Sequence, residues 1–276
     1  MKNEKIAFIG AGNMAGALIG GMLAEGVSPD RIWATDLDEV KLNTLAAHCK
    51  INVTTDKATA IKAADVVVLS VKPQVMSQVC HEIADVMREH KPLIISVAAG
   101  IQAAHLNRWL GDHLAIIRAM PNTPALIRAG ATGLFANQHA SESHRELAEN
   151  ILRTAGLVLW VDNEAQMDYV TALSGSGPAY IFRIMEAMEQ AGEALGLPHN
   201  VARLLTLQTT LGAATLAMES SDDLKTLRER VTSPGGTTEQ GLKQMNEMNI
   251  DKLFEQTLKA ASQRSQELAK QFGESE

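Results

Sequence analysis

Ile6–Ala7–Phe8–Ile9–Gly10–Ala11–Gly12–Asn13–Met14–Ala15 is the stretch on which the fold turns. Four apolar residues predict a buried strand, the glycines a turn, and Met14 onward a helix rich in small residues. Strand, glycine turn and helix in succession are the context that makes G-x-G-x-x-A a dinucleotide fingerprint. Gly10 permits the tight turn, Gly12 lets backbone approach a pyrophosphate, and Ala15, with Gly16 behind it, lets the helix lie close to the sheet. Free N–H groups and the helix dipole favour negative charge at that helix start. Ile9, Gly10, Gly12, Asn13 and Met14 are thus candidate cofactor positions.

Outward from this segment, short β-branched runs alternate with helical patterns. Strands are predicted at Lys5–Ile9, Arg31–Thr35, Asp65–Ser70, Leu93–Val97, Leu114–Arg118 and Leu157–Val161, and helices at Met14–Glu25, Glu39–His48, Val75–His90 and Ala103–Leu110. Strands alternating with helices imply βαβ units, hence a doubly wound parallel sheet with right-handed crossovers. Val66–Val67–Val68–Leu69 is apolar throughout, as a strand covered on both faces requires. After Trp160 helical periodicity takes over. Leu204, Leu207, Leu211, Ala214 and Met218 form a heptad-like seam that either packs within the chain or meets a second subunit. Lys252–Phe272 is predicted as a last amphipathic helix. The expected division is a dinucleotide-binding domain over 1–162 and an all-α domain over 163–276.

Asp36 closes the second strand, about twenty residues beyond Gly16, where a carboxylate accepts from the adenosine ribose and disfavours a 2′-phosphate. Lys41, one turn into the next helix, is placed to neutralise such a phosphate. The choice between NAD and NADP stays open. Ser70–Val71–Lys72–Pro73 and Val97–Ala98–Ala99–Gly100 end two further strands, and in open α/β sheets ligands bind outside those carboxyl ends.

Bulk properties narrow the function classes. A net charge of −7 with no basic cluster gives no reason to expect nucleic acid. No apolar run approaches the roughly 18 residues of a membrane span, and the polar start of the chain does not read as a signal peptide. Cys49 and Cys80 lack metal or redox spacing and read as packing residues of a reduced, cytoplasmic protein; no metal site is expected.

Three segments carry candidate chemistry: Arg118–Ala119–Met120–Pro121–Asn122–Thr123–Pro124, Ser174–Gly175–Ser176–Gly177–Pro178 and Thr232–Ser233–Pro234–Gly235–Gly236–Thr237–Thr238. The last two are expected as loops presenting N–H groups and hydroxyls at helix N-termini, either as a carboxylate site or as ordinary caps. No lysine occurs between Lys91 and Lys225, which removes a lysine acid from the helical region. Neither Tyr169 nor Tyr180 has a lysine four residues on. A carbonyl reductase must protonate a developing alkoxide, whereas an iminium carbon is already electrophilic. The segments therefore suit C=N reduction by positioning.

Taken in order, the Gly10–Ala15 fingerprint, Val71–Lys72–Pro73, Ala98–Ala99–Gly100, Met120–Pro124, Ser174–Tyr180 and Val231–Thr238 followed by Gly241–Leu242 resemble the motifs of pyrroline-5-carboxylate reductases across nearly the whole chain. This resemblance implies a Rossmann-like domain followed by an all-α C-terminal dimerisation domain, and a homodimer that is often gathered into a larger ring. It implies reduction of 1-pyrroline-5-carboxylate to L-proline by NADPH or NADH, the last step of proline biosynthesis. By the same resemblance Thr238 bonds the ring nitrogen, Ser233 with Gly235, Gly236 and Thr237 holds the substrate carboxylate, and Ser176 lies at the substrate. Ala99 and Asn122 lie near the nicotinamide, and Lys57, where many relatives have Asn, lies near the adenosine ribose. The other readings are reduction of another imine or of a keto acid, and a non-catalytic dinucleotide-binding protein.

Overall fold

In a computed structural model, residues 4–273 are described. The strands are β1 (Ile6–Ile9), β2 (Ile32–Thr35), β3 (Asn52–Thr54), β4 (Val66–Leu69), β5 (Leu93–Ser96), β6 (Ile116–Met120), β7 (Gly130–Ala136) and β8 (Gly156–Trp160). They form one eight-stranded sheet in the order β3-β2-β1-β4-β5-β6-β7-β8. Around and after it run α1 (Asn13–Ala24), α2 (Glu39–Cys49), α3 (Lys57–Lys62), α4 (Pro73–His90), α5 (Ala103–Leu110), α6 (Glu142–Arg153) and α7 (Gln166–Val170). The chain continues through α8 (Gly177–Ala194), α9 (His199–Glu219), α10 (Leu224–Arg230), α11 (Thr237–Glu247) and α12 (Ile250–Gly273).

All residues of β1, β4 and β5 are buried, because helices cover both faces of the sheet. The period-two alternation of a strand sorts these residues into two cores. Ile6, Phe8, Val66, Val68 and Ile95 pack with Leu18, Ile19 and Met22 of α1. Val67, Leu69 and Ile94 pack with Met76, Cys80 and Ile83 of α4 and Leu106 of α5. Truncating a side chain such as Phe8, fully buried, would cost about 3–5 kcal/mol.

All six expected strands are present, and two more join them. β3 is a three-residue edge strand whose Asn-Val-Thr carries little apolar signal. β7 pairs antiparallel with β6, so the sheet is not wholly parallel; the other pairs, including β7 with β8, are parallel. Gly130-Ala-Thr-Gly lacks the alternation that marks a strand, which is why β7 is illegible in the sequence.

The chain forms two compact units. One runs to Ser176 and takes in the chain from Ala260 onward; the other is Gly177–Lys259. Within the first, Phe272 near the end of α12 packs against the core that contains Ala98 and Ile101. In the second, α8 and α9 pack on each other, with Ala202 buried. The seam residues Leu204, Leu211 and Met218 are 64, 61 and 81% exposed, so packing within the chain does not cover them.

One expectation is corrected. Ser174–Pro178 leads into a helix start at Gly177, as expected, but not as an open loop: Thr171–Gly175 is a π-helical turn between α7 and α8. Its wider spacing is seen where the Ser176 N–H donates to the Thr171 carbonyl at 2.9 Å, so that N–H is already satisfied. Single π turns of this kind favour functional positions because they displace side chains from the helical register.

Candidate functional site

Three strands end together where the strand order reverses between β1 and β4, and a cleft of about 340 Å³ opens there. Such a switch point is where doubly wound sheets bind ligands. Ile9, Gly10, Gly12, Asp36, Lys57, Ser70, Val71 and Lys72 all line it, so the structure gathers eight of the expected cofactor positions around one space. A larger groove of about 530 Å³, around Glu25, Asn150 and Arg153, contains none of them.

The glycine turn is built as the fingerprint requires. Gly10 has φ +102°, and a Cβ there would lie 2.8 Å from the Ser70 carbonyl oxygen. The Ser70 hydroxyl donates to the Gly10 carbonyl at 2.7 Å, fastening the turn to the end of β4. Gly12, by contrast, faces open space: a Cβ there would meet nothing within 4 Å. Gly12 is also the N-cap of α1, and neither a side-chain cap nor an acidic residue occupies that helix start. Uncapped N–H groups beneath an open backbone are what a dinucleotide pyrophosphate fits.

Asp36 is heavily engaged. Its carboxylate accepts from the Ala11 N–H at 2.9 Å, the Asp38 N–H at 3.2 Å and the Lys41 ammonium at 2.6 Å. Burial pushes its pKa up, but the hydrogen bonds from Lys41, Ala11 and Asp38 outweigh this, and the carboxyl sits below its ordinary value. Across the cleft, Lys57 pairs with Glu82 at 2.9 Å, and Gln78 donates to the other oxygen of Glu82 at 2.9 Å. The hydrogen bonds from Lys57 and then Gln78 hold Glu82 below the ordinary carboxylate range. Sequence reasoning missed Gln78 and Glu82. Their signal is faint: one helical turn apart on the helix that Pro73 starts, they share the face that returns to the cleft.

The remaining expected cofactor positions lie outside the cleft lining. Asn13 and Met14 begin α1, and Pro73 is the first residue of α4. Ala98 is buried and Ala99 half-buried beyond the end of β5. The amide of Asn122 donates to the Ser174 carbonyl at 3.0 Å and accepts from the Ala131 N–H at 2.9 Å, tying β6 to the π turn. Behind β6, the buried Arg118 pairs with the half-buried Glu164 at 2.9 Å, and the same carboxylate oxygen accepts from the Ala103 N–H at 2.7 Å.

Ser176 is half-buried and belongs to the first unit, whereas Ser233, Gly235, Gly236, Thr237 and Thr238 belong to the second. Gly236 is the N-cap of α11 and supplies no side-chain cap. Its N–H donates to the Ser233 carbonyl at 2.9 Å, which closes a tight turn, and the Gly235 N–H donates to Glu239 at 2.8 Å. Thr237 and Thr238 are exposed at the helix start. The Gly235 and Gly236 N–H groups are thus satisfied within the turn, while the Thr237 and Thr238 hydroxyls stand at the start of α11.

The sequence spacing suggests no metal site, yet folding brings ligand atoms of Glu189, Glu193 and His199 within 4.8 Å of one another. An ion pair accounts for the group: His199 Nδ1 lies 2.5 Å from Glu193, whose hydrogen bond holds the imidazole above its ordinary pKa. Among the described residues no helix is long and apolar enough to cross a membrane.

Comparison with known proteins bears on both units. Residues 164–268 match the pyrroline-5-carboxylate reductase dimerisation family, and residues 5–100 match the family described as NADP oxidoreductase, coenzyme F420-dependent. The pyrroline-5-carboxylate reductase of Pseudomonas aeruginosa is 51% identical over 274 residues, spanning 99% of this chain and 100% of the relative. A solved pyrroline-5-carboxylate reductase from Coxiella burnetii has a TM-score of 0.93 at 48% identity, covering 96% of this chain and 98% of that one. The pyrroline carboxylate reductase of Plasmodium falciparum, solved with NADP bound, has a TM-score of 0.86 at 26% identity and covers 98% and 99%.

Proposed function

We propose, since this chain belongs to the pyrroline-5-carboxylate reductase family, that it reduces 1-pyrroline-5-carboxylate to L-proline with NADPH or NADH, the final step of proline biosynthesis. The single observation that carries the reading beyond kinship is the uncapped start of α1 at Gly12, opening on the cleft at the β1/β4 switch point. When bound, the reduced nicotinamide supplies the hydride.

The chain's own residues then divide the work. Gly10, Gly12, Asn13 and Met14 offer backbone to the pyrophosphate, while Ile9, Asp36 and Lys57 face the adenosine ribose. Ser70, Val71, Lys72, Pro73, Ala98, Ala99 and Asn122 shape the strand ends on the nicotinamide side. Ser233, Gly235, Gly236 and Thr237 hold the substrate carboxylate, and Thr238 orients the ring nitrogen through its hydroxyl. With the imine carbon already electrophilic, orientation and exclusion of water supply most of the acceleration. No lysine acid is needed, in keeping with the lysine-free stretch from Lys91 to Lys225.

The exposed seam on α9 and the dimerisation-family match support a homodimer through the helical domain, with a ring of dimers as the larger assembly. The functional division is a dinucleotide-binding domain over 1–162 and a substrate-binding and dimerisation domain over 163–276, in a cytoplasmic enzyme. Purified protein should consume NADH or NADPH when given 1-pyrroline-5-carboxylate. Thr238→Val should lower kcat/KM by about tenfold or more, the worth of one hydrogen bond to a charged group. A folded parent that binds dinucleotide without turnover would overturn the assignment, and a Thr238→Val enzyme as fast as the parent would remove Thr238 from the site.

A further inference from the structure

Most of the charges in the cleft at the β1/β4 switch point are committed to one another. Five charged side chains line it: Lys41, Lys57 and Lys72 against Asp36 and Glu82, three positive and two negative, a net of +1. Both carboxylates are spent on lysines, Asp36 on Lys41 at 2.6 Å and Glu82 on Lys57 at 2.9 Å. Among the described residues Lys72 is the lining lysine left without an ion pair. The net charge therefore understates how little free cation the adenosine end presents.

The two pairs differ in what holds them. Asp36 is anchored by backbone N–H groups of Ala11 and Asp38 as well as by Lys41, as a ribose-facing carboxylate should be. Glu82 receives no backbone bond; it is held by Gln78 on its own helix and by Lys57 reaching over from the start of α3. Lys57 is the more enclosed partner, with its side chain 20% exposed against 42% for Glu82. The geometry thus points a largely sheltered lysine along the cleft wall and ties its ammonium to a carboxylate whose other visible partner is Gln78.

We propose that Glu82 is a specificity-determining residue: by holding Lys57 in an ion pair on the wall of the dinucleotide cleft, it withholds that lysine from a 2′-phosphate and biases the site toward NAD(H). The proposal rests on the reading of this cleft as the dinucleotide site. A ribose hydroxyl is neutral and is little affected by the Glu82 charge. A phosphate monoester carries about −1.5 to −2 at neutral pH; it is repelled by Glu82 and has to compete with it for Lys57. Glu82 is ionised at neutral pH, because Lys57 and Gln78 stabilise its charged form.

The test is calorimetric titration of the ligand-free protein with NAD⁺ and with NADP⁺, in the parent and in Glu82→Gln and Lys57→Gln. Gln at 82 keeps the shape and removes the charge, and the site is exposed enough to accept it. For Glu82→Gln the ratio Kd(NAD⁺)/Kd(NADP⁺) should rise about fivefold, the size of one solvent-screened charge interaction. For Lys57→Gln it should fall. A ratio unmoved by Glu82→Gln in a variant that still binds both dinucleotides overturns the proposal and leaves the cofactor reading standing. If the folded parent binds neither dinucleotide, the cofactor reading itself fails, and this proposal with it.

Discussion

Replacing Gly12 by alanine should weaken cofactor binding while leaving the stability of the ligand-free protein nearly unchanged. At φ −75° and ψ −177° the Gly12 backbone is already in a region open to alanine, and the new methyl would meet nothing within 4 Å. Removing glycine from the unfolded ensemble favours the folded ligand-free protein by about 0.4–1 kcal/mol, and the poorer N-cap that alanine makes for α1 offsets this by a similar amount. In a chain of this size the net shift in Tm should stay within about 2 °C. The same methyl would stand in the space through which a pyrophosphate reaches the first N–H groups of α1. Losing one charge-assisted bond there costs about 1.5–3 kcal/mol, a Kd about 10- to 150-fold weaker for both NAD⁺ and NADP⁺. Gly10→Ala is the contrasting control. With φ +102° and a Cβ 2.8 Å from the Ser70 carbonyl oxygen, it should lose stability outright, by about 1–3 kcal/mol from the backbone alone. Thermal scans of ligand-free protein and calorimetric titrations with each dinucleotide measure both quantities. A Gly12→Ala protein that binds as tightly as the parent would refute the claim that the backbone at Gly12 approaches the phosphates.

Other perturbations test the supporting structure. Glu164→Ala leaves the buried Arg118 guanidinium without its counter-charge and the Ala103 N–H without its acceptor, so denaturant titration should show a loss of about 1–3 kcal/mol; a parent-like midpoint would mean the pair contributes nothing. Asp36 has a folded-state pKa below its unfolded value, so its contribution to stability is complete above about pH 4 and is lost as pH falls through the lowered folded value. Asp36→Asn should flatten that acid limb, and an unchanged limb would show that the hydrogen bonds at Asp36 do not favour its charged form. Burial pushes the Cys80 thiol up to about 12, so native protein at neutral pH should alkylate at the half-buried Cys49 first and at Cys80 only on unfolding; prompt labelling of Cys80 would contradict its burial.

Much of the first unit was legible from residue order alone, because its signals are local. Apolar runs at β1, β4 and β5 are buried on both faces and so need no partner to be recognised, and Gly10 and Gly12 act through their own backbone. The ordered motifs also carried the family. What failed to show was whatever depends on a neighbour distant in the chain. β7 exists because β6 and β8 pair with it, not because its own glycine-rich residues prefer to be extended. The π turn at Thr171–Gly175 reads as a loop, since Ser and Gly mark turns in general and nothing local distinguishes a wide helical turn from a break.

The sequence by itself determined the alternation of strand and helix, the glycine turn, and the change to helices after Trp160, each encoded in periodicity or in a single backbone preference. Only the tertiary structure decided which charges face one another in the cleft. Lys57 and Glu82 are separated by twenty-five positions, and no spacing rule links them; they meet because α3 and α4 converge on the same end of the sheet. Electrostatics acts through distance in space, and that distance is set by the packing of the whole sheet and its helices.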